Sequence, residues 1–372
     1  MQIGSLLITS FRNCEKLELH ASEGVNVLLG DNAQGKSAIL EAIYLIATSK
    51  SHRTMRDSDM IRVGDDIARV CAQVARSARN DATLEVLLSR SEKKVVRIDK
   101  VKHDRIGDLV GQLNAVIFSS LDIDMVRGEP LLRRRFMNLD ISQTSPQYIY
   151  ALGRYKRVLE QRNNLLKELK SAGGQSNSLD VWDSQLAGYG AAVMTKRAEF
   201  ARFLANAASR IHTELTSGGE ELALTYKPSP GNDCAETEDE RKSALAEHLV
   251  ARRDIDILRG STSVGPHRDD LAISIGGLPA RDYASQGQQR SVAVALKLAE
   301  IELMEEAAGE PPVLLLDDVT AELDESRRAR VLQLTRGRCQ TFVTTTRLEE
   351  LAGGDLDFGG VFEVRSGKVT RR

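Results

Sequence analysis

Gly30-Asp31-Asn32-Ala33-Gln34-Gly35-Lys36-Ser37 is the stretch that decides the fold. It fits the pattern Gly-x-x-x-x-Gly-Lys-Ser/Thr and lies between a predicted strand, 25–29, and a helix predicted to begin at about Lys36. Its glycines let backbone N–H groups approach phosphate oxygens, and the helix offers the positive end of its dipole to the same anion. We predict that these eight residues (the P-loop) bind ATP. Lys36 would bridge the β- and γ-phosphates, and Ser37 would bind Mg²⁺.

A second motif supplies two adjacent carboxylates. The apolar run Val313–Leu316 predicts a buried strand, and Asp317 and Asp318 follow it directly. Such a strand would hold Asp317 rigidly at the Mg²⁺. Because successive residues leave a strand in opposite directions, Asp318 can face the attacking water instead. Lys36, Asp317 and Asp318 are therefore the predicted catalytic residues, and the alternative is that the two acids only cap the next turn.

A third motif points to a nucleotide shared by two copies of the chain. The first two motifs lie about 280 residues apart, and a large insertion in an intact core is typical of ABC, Rad50 and SMC ATPases. The segment Ser285, Gln286, Gly287 and Gln288 precedes a predicted helix and resembles the signature motif of that class. There a serine hydroxyl, a glycine N–H and a helix N-terminus complete the site of a second subunit. Ser285 also suits a plain helix N-cap.

Two further positions fit the same class. The segment 321–324 resembles the D-loop, in which Asp324 would cross the dimer interface; a solvated helix N-terminus is the competing interpretation. Thr344 follows the next predicted strand, at a position where many ABC proteins carry a switch histidine. We therefore expect a threonine hydroxyl to sense the γ-phosphate.

The order of elements predicts a divided α/β fold. Its class is an ABC-type P-loop ATPase core, similar to Rad50 and SMC heads, assembled from N- and C-terminal parts with an inserted helical lobe. Residues 1–125 form the N-terminal part of lobe I, with the P-loop and an antiparallel meander. Residues 126–260 form the inserted helical lobe II. Residues 261–372 form the C-terminal part with the signature, the Asp317–Asp318 motif and the D-loop.

The inserted lobe is expected to contain two long antiparallel helices. The first carries an apolar stripe that includes Tyr148, Tyr155 and Leu166 at helical spacing. Arg162 is predicted to lie away from that stripe. The polar segment 171–178 connects this helix to the second, which begins near Leu179.

Composition limits the kinds of function. The net charge of −2 and the pI near 6.4 do not fit a protein that coats nucleic acid, so DNA contacts would come from local patches. The four cysteines are far apart and lack Cys-x-x-Cys spacing, which predicts no structural metal. Met1–Ser10 lacks the pattern of a signal peptide, and no apolar run could cross a bilayer. We therefore expect a cytoplasmic protein without a membrane partner.

Several segments resemble the RecF family of recombination mediators. Beside the motifs above, the resemblance is carried by Phe11-Arg12-Asn13, Ser51-His52-Arg53-Thr54, Gly128-Glu129-Pro130, Arg133-Arg134-Arg135-Phe136 and Gly265-Pro266-His267-Arg268. It implies a weak ATPase used as a switch, which dimerises on ATP, binds double-stranded and gapped DNA, and promotes recombinase loading with RecR and RecO. It also implies that Arg12 contacts the nucleotide.

The basic segments of this resemblance supply the candidates for DNA phosphate contacts, which are Arg53, Arg56, Arg133, Arg134 and Arg135. The alternative for residues 133–135 is a helix face bonded to nearby carboxylates.

Three other functions share some of these features. A transporter ATPase subunit has the same nucleotide motifs but a shorter insertion. An SMC- or Rad50-like architectural protein needs long heptad-repeating arms. An anti-phage ATPase would be coupled to a nuclease, of which the sequence shows no separate domain.

Overall fold

The computed structural model divides into two compact units. It describes residues 1–172, 176–216, 218–231, 235–318, 337–351 and 358–372, together with residues 328, 331 and 333. The first unit, which we call the ATPase unit, comprises Met1–Ile123, Ile211–Gly218 and Ser285–Arg372. The second, the inserted unit, comprises Asp124–Arg210 and Gly219–Ala284.

The regular elements are numbered here along the described chain. The strands are β1 (Gln2–Phe11), β2 (Cys14–His20), β3 (Val25–Leu29), β4 (Ile67–Ala75), β5 (Ala82–Ser89), β6 (Val95–Ile98), β7 (Val101–His103), β8 (Ala115–Phe118), β9 (Leu222–Lys227), β10 (Asp270–Ile275), β11 (Leu278–Pro279), β12 (Val313–Leu316), β13 (Thr341–Thr345), β14 (Phe358–Arg365) and β15 (Lys368–Arg371). The α-helices are α1 (Lys36–Thr48), α2 (Ile123–Arg127), α3 (Pro130–Thr144), α4 (Pro146–Ala172), α5 (Asp180–Leu215), α6 (Glu238–Ala251), α7 (Arg253–Arg259), α8 (Ala280–Tyr283) and α9 (Gln286–Ala308). None of the helices in this described part of the chain has the length and apolar run needed to span a bilayer.

The ATPase unit contains two six-stranded sheets. One has the order β15-β14-β3-β13-β12-β8, in which all strands but β15 run parallel to their neighbours. It joins β3 and β8 from the N-terminal part of the chain to β12–β15 from the C-terminal part. The other sheet is antiparallel, with the order β2-β1-β4-β5-β6-β7. Both the divided core and the predicted meander are confirmed.

Helix α1 is the centre of this unit. Every residue of α1 except Ser37 is buried, and the helix contacts strands of both sheets. Its apolar side chains share one hydrophobic core with those strands. Most residues of α1 are apolar, and a helix that is hydrophobic on nearly all sides belongs in such an interior. The surrounding packing therefore fixes the P-loop, which ends where α1 begins.

The inserted unit combines helices with the small antiparallel sheet β11-β10-β9. Helices α4 and α5 run antiparallel, because Tyr148 pairs with Arg197 and Arg162 pairs with Asp183. This agrees with the predicted helix pair. The predicted boundary at 261 differs from the structure: residues 261–284 belong to the inserted unit, where β10 pairs with the unpredicted strand β9.

The predicted position of Arg162 is wrong. Its side chain is completely buried, in register with the buried positions Tyr155, Val158, Leu166 and Leu169 of α4. Arg162 can lie there because its guanidinium contacts two buried carboxylates, Asp183 at 2.6 Å and Asp256 at 2.8 Å. The charge of Arg162 alone suggests a position at the surface, but these carboxylates from other helices allow it to be buried.

Candidate nucleotide-binding site

The order of the parallel sheet brings the first two motifs together. Strand β13 lies between β3, which leads into the P-loop, and β12, which leads into Asp317. Because these strands are parallel, their carboxyl ends meet at the same edge of the sheet, where ligands commonly bind in α/β folds. Thr344 on β13 therefore lies between the P-loop and Asp317.

Two glycines shape the P-loop. Gly35 is the N-cap of α1 and has φ +112°, a backbone conformation that residues with a side chain rarely adopt. At Gly30 a Cβ atom would lie 2.3 Å from the carbonyl oxygen of Val364 on β14, which is impossibly close. The same loop is tied to the β14–β15 turn by Gln34, whose side chain accepts a hydrogen bond from the amide of Ser366 at 2.7 Å. Gly30 and Gln34 thus shape and anchor the loop.

Lys36 is held against the loop that precedes it. Its ammonium group donates to the carbonyl oxygens of Gly30 and, at 2.9 Å, of Asp31. Burial lowers the pKa of Lys36, and the negative charges of Asp318, Asp31 and Asp317 oppose that effect. The positive charge therefore lies among three carboxylates, at the place where a phosphate would need it.

Ser37, Asp317 and Thr344 form a compact group. The Ser37 hydroxyl donates to Asp317 Oδ1 at 2.8 Å, and the Thr344 hydroxyl lies 3.1 Å from the same oxygen. Burial raises the pKa of Asp317, while the hydrogen bonds from Ser37 and Thr344 and the positive charge of Arg53 oppose the rise. A hydroxyl and a carboxylate oxygen side by side are the ligand types that Mg²⁺ prefers.

Asp318 differs from Asp317 in its surroundings. It is exposed, and its φ of +53° lies in the left-handed region, which costs energy for a residue with a side chain. Its amide donates to the Thr344 hydroxyl at 2.8 Å. Thr344 thus supports both carboxylates, with its hydroxyl near one side chain and on the backbone of the other.

These residues border an open cavity of about 600 Å³ (the P-loop cavity), a size common for ligand sites. Of the residues predicted for nucleotide, metal, catalytic or switch roles, its lining includes Arg12, Asn32, Ala33, Gly35, Lys36, Ser37, Asp317, Asp318 and Thr344. It also includes Asn13, Ala38, Arg53, Asp59, Ile61 and Val63. Asn13 belongs to the quoted Phe11-Arg12-Asn13 turn, but no motif or spacing marked Asp59, Ile61 or Val63.

Arg53, a predicted candidate for DNA phosphate contacts, lies at the P-loop cavity. It is exposed and lines the P-loop cavity, where its charge influences Asp317. Arg56, three residues later, is also exposed but does not belong to the lining. Arg53 is therefore better placed for a nucleotide than for a separate DNA surface.

Arg133 is not available as a DNA contact, and its prediction is wrong. It is only 6% exposed. Its guanidinium forms a two-pronged pair with Asp270 at 2.7 and 2.9 Å and donates to the Gly128 carbonyl at 2.8 Å. Arg134 is half-buried and donates to the Asp269 carbonyl at 2.6 Å, and Arg135 is half-buried. For Arg133 the alternative of a helix face bonded to carboxylates is correct.

The signature segment is exposed and structured. Ser285 caps α9: its hydroxyl accepts from the Gln288 amide at 3.3 Å, and its own amide donates to the Gln288 side chain at 2.7 Å. Ser285, Gln286 and Gly287 are exposed, and the described residues 285–288 do not line the P-loop cavity of their own chain. The N-cap interpretation of Ser285 is thus correct. The exposure of the segment is also what a signature motif that binds the nucleotide of a second copy would need. The predicted D-loop residue Asp324 lies outside the described residues.

Comparison with known proteins gives one consistent result. Residues 2–370 match the family model described as the RecF/RecN/SMC N-terminal domain. The DNA replication and repair protein RecF of Geobacillus kaustophilus is 40% identical over 373 residues, which cover 100% of this chain and 99% of the relative. A solved structure of the recombination mediator protein RecF with ATP, in the RecFOR pathway, aligns with a TM-score of 0.91 at 34% identity and covers 100% of this chain and 99% of that chain.

A more distant match agrees in fold alone. The Smc head domain of Pyrococcus furiosus, with an extended coiled coil and bound to the C-terminal domain of ScpA, aligns with a TM-score of 0.56 at 17% identity. That alignment covers 100% of this chain and 96% of the other. The architecture is therefore that of an SMC-type ATPase head, and the chain belongs to the RecF family.

Proposed function

We propose that this protein is an ATP-dependent DNA-binding protein of recombinational repair in the cytoplasm. The observation that carries the proposal is the group of Ser37, Asp317 and Thr344 beside Lys36, in the lining of an open cavity. The names of the relatives support the DNA repair role, and the RecF structure with ATP supports the nucleotide.

The residues present fit ATP and Mg²⁺. The backbone amides of the P-loop and the Lys36 ammonium would hold the phosphates, and Gly30 and Gly35 leave the loop free of Cβ atoms at its two tightest points. Arg12 and Arg53 add two positive charges at the same cavity. Ser37 and Asp317 would hold Mg²⁺, which when bound neutralises charge on the phosphate oxygens.

Asp318 is the proposed general base. It is exposed at the cavity, and its backbone is held by Thr344, so its carboxylate can accept a proton from an attacking water. Thr344 also lies within hydrogen-bond distance of Asp317, the proposed metal ligand. One hydroxyl therefore joins the two acids, and we propose that Thr344 takes the switch position. Turnover is expected to be slow, because the ATPase acts as a switch.

ATP is proposed to join two copies of the chain. In that arrangement the exposed Ser285–Gln288 segment of one copy completes the P-loop cavity of the other, and Asp324 crosses the interface. Hydrolysis then loosens the dimer. In its ATP-bound form the protein would bind double-stranded and gapped DNA, and it would cooperate with RecR and RecO in loading the recombinase. Arg56, Arg134 and Arg135 remain the candidates for DNA phosphate contacts.

Mass by light scattering tests the shared site. Wild type, Lys36→Ala and Ser285→Arg are measured with and without Mg-ATP, and ATP binding is measured separately by calorimetry. We expect ATP to double the mass of the wild type only, while Ser285→Arg still binds ATP and Lys36→Ala does not. If wild type binds ATP but stays monomeric with and without DNA, the shared-site mechanism is wrong.

DNA binding is measured next, by fluorescence anisotropy with duplex and gapped oligonucleotides. We expect affinity to rise with ATP and to fall with salt, because phosphate contacts release counterions. Arg56→Ala should reduce the steepness of that salt dependence. Equal affinity with and without ATP would contradict the proposed switch.

A further inference from the structure

Glu41 is a buried carboxylate bonded to Arg12, which lines the P-loop cavity. It lies on α1, has no solvent exposure and does not line the cavity. Its two oxygens accept hydrogen bonds from Arg12, at 2.8 Å from Nε and 2.6 Å from Nη2. It also accepts a hydrogen bond from the Ser51 hydroxyl. All of these groups belong to the ATPase unit.

The partners of Glu41 connect it to the segment 51–59, which we call the Arg53 loop. The Ser51 hydroxyl accepts hydrogen bonds from the amides of Arg53 at 2.9 Å and Thr54 at 3.1 Å. The Ser51 hydroxyl therefore holds the backbone that carries the Arg53 side chain.

The second connection runs through Arg12. Its Nη1 donates to the carbonyl of Asp59 at 2.6 Å, and the Asp59 carboxylate accepts from the Thr54 hydroxyl at 2.5 Å. Glu41, Arg12, Asp59, Thr54 and Ser51 thus form a closed ring of hydrogen bonds. The Arg53 loop is held at both of its ends by this ring.

The charges explain why this buried acid is tolerated. Burial would raise the pKa of Glu41, but hydrogen bonds from Arg12 and Ser51 and the positive charge of Arg12 outweigh that effect and lower it. Glu41 therefore stays ionised in the interior. A buried charge with paired, two-pronged geometry fixes the orientation of its partner more narrowly than an apolar neighbour could.

We propose that Glu41 is a positioning residue for nucleotide binding, which holds Arg12 and the Arg53 loop so that both guanidinium groups face the phosphates. The inference rests on the proposed function of the P-loop cavity. Arg12 and Arg53 both line that cavity, and long cationic side chains lose much conformational freedom when they bind an anion. Glu41 removes part of that freedom before the nucleotide arrives, which strengthens binding.

The same unit offers a matched control. Glu85 on β5 is 5% exposed and is bonded to two arginines, Arg69 and Arg97, as Glu41 is bonded to Arg12 and Ser51. Glu85 and its partners do not line the P-loop cavity. Glu85→Gln therefore removes a buried, arginine-paired charge without touching the proposed nucleotide site.

The experiment measures Mg-ATP affinity by isothermal titration calorimetry for wild type, Glu41→Gln and Glu85→Gln, together with thermal midpoints without nucleotide. We expect Glu41→Gln to weaken ATP binding about tenfold, the loss expected of one charge-assisted interaction. Glu85→Gln should leave affinity unchanged while both variants lose thermal stability. In an Arg12→Met background, Glu41→Gln should weaken ATP binding by only about threefold, because Arg12 is already absent and only the link through Ser51 to the Arg53 loop remains.

The outcomes separate the two proposals. If wild type does not bind ATP, the proposed function itself fails. If wild type binds and Glu41→Gln binds equally well, the positioning role is wrong and the proposed function stands. An equal loss in both glutamine variants also overturns it, since the effect is then one of stability. Should Glu41→Gln not fold, Ser51→Ala removes only the hydroxyl that links Glu41 to the Arg53 loop. We expect this variant to bind ATP about threefold more weakly than wild type, and unchanged affinity would overturn the inference.

Discussion

His267 is a buried histidine whose protonation should destabilise the inserted unit. Its Nε2 lies 3.1 Å from the Thr262 carbonyl, which can only accept, so this nitrogen carries the hydrogen. Its Nδ1 then accepts from the Tyr155 hydroxyl at 2.6 Å. The neutral ring has both hydrogen bonds. A protonated ring would have to donate at Nδ1 as well, so the Tyr155 hydroxyl would have to turn and accept, and a positive charge would be buried.

The size of the effect follows from the pKa. Burial lowers the pKa of His267 to about 4, and the positive charges of Arg268 and Arg134 act in the same direction. The Thr262 hydrogen bond and the charge of Asp256 oppose the shift. In the unfolded chain the pKa is about 6.5. Between these values the unfolded state binds more protons, so stability falls as the pH falls. From pH 7.5 to pH 5 the loss amounts to about 2 kcal/mol.

Urea unfolding followed by tryptophan fluorescence measures this loss. The chain has one tryptophan, Trp182 on α5, so the signal reports the inserted unit. Wild type is compared with His267→Gln, whose amide can also donate and accept. The stability difference between the two should shrink by about 2 kcal/mol on going from pH 7.5 to pH 5.

A control and a refuting result complete the test. Val250 is exposed on α6 in the same unit, and Val250→Gln, which removes no titratable group, should keep the same stability difference from wild type at both pH values. If the difference between wild type and His267→Gln is also independent of pH, then His267 does not titrate below its ordinary range and the reasoning from its burial is wrong.

Three further changes have defined outcomes. Arg162→Met leaves the buried Asp256 without its cation, while Asp183 keeps Arg253, and should cost about 3–5 kcal/mol in urea unfolding; a loss under about 1 kcal/mol would contradict a structural role for the Arg162–Asp256 pair. Gly30→Ala brings a Cβ against the Val364 carbonyl, and calorimetry should find ATP affinity reduced at least about tenfold. Asp318→Asn should retain Mg-ATP binding but lower the hydrolysis rate at least about 100-fold and prolong the ATP-dependent dimer; unchanged phosphate release would exclude Asp318 as the base.

The sequence by itself determined the ATPase core. The P-loop pattern defines the residue type at four positions, Gly30, Gly35, Lys36 and Ser37, within eight consecutive residues, so its geometry is local and can be recognised without partners. The strand before Asp317 is likewise a single apolar run. That Ser37 and Asp317 meet, although 280 positions apart, could be predicted because both motifs serve one site and parallel strands bring their carboxyl ends together.

Only the tertiary structure decided where the arginine side chains lie. Arg133 is buried because Asp270, 137 positions away, supplies a two-pronged partner, and Arg162 is buried because Asp183 and Asp256 surround it. Arg53 reaches the P-loop cavity because Glu41 and Ser51 hold its backbone. A long cationic side chain has no strong local preference for surface or interior once a carboxylate is available. Its position therefore depends on residues from other elements, which only the folded chain brings near.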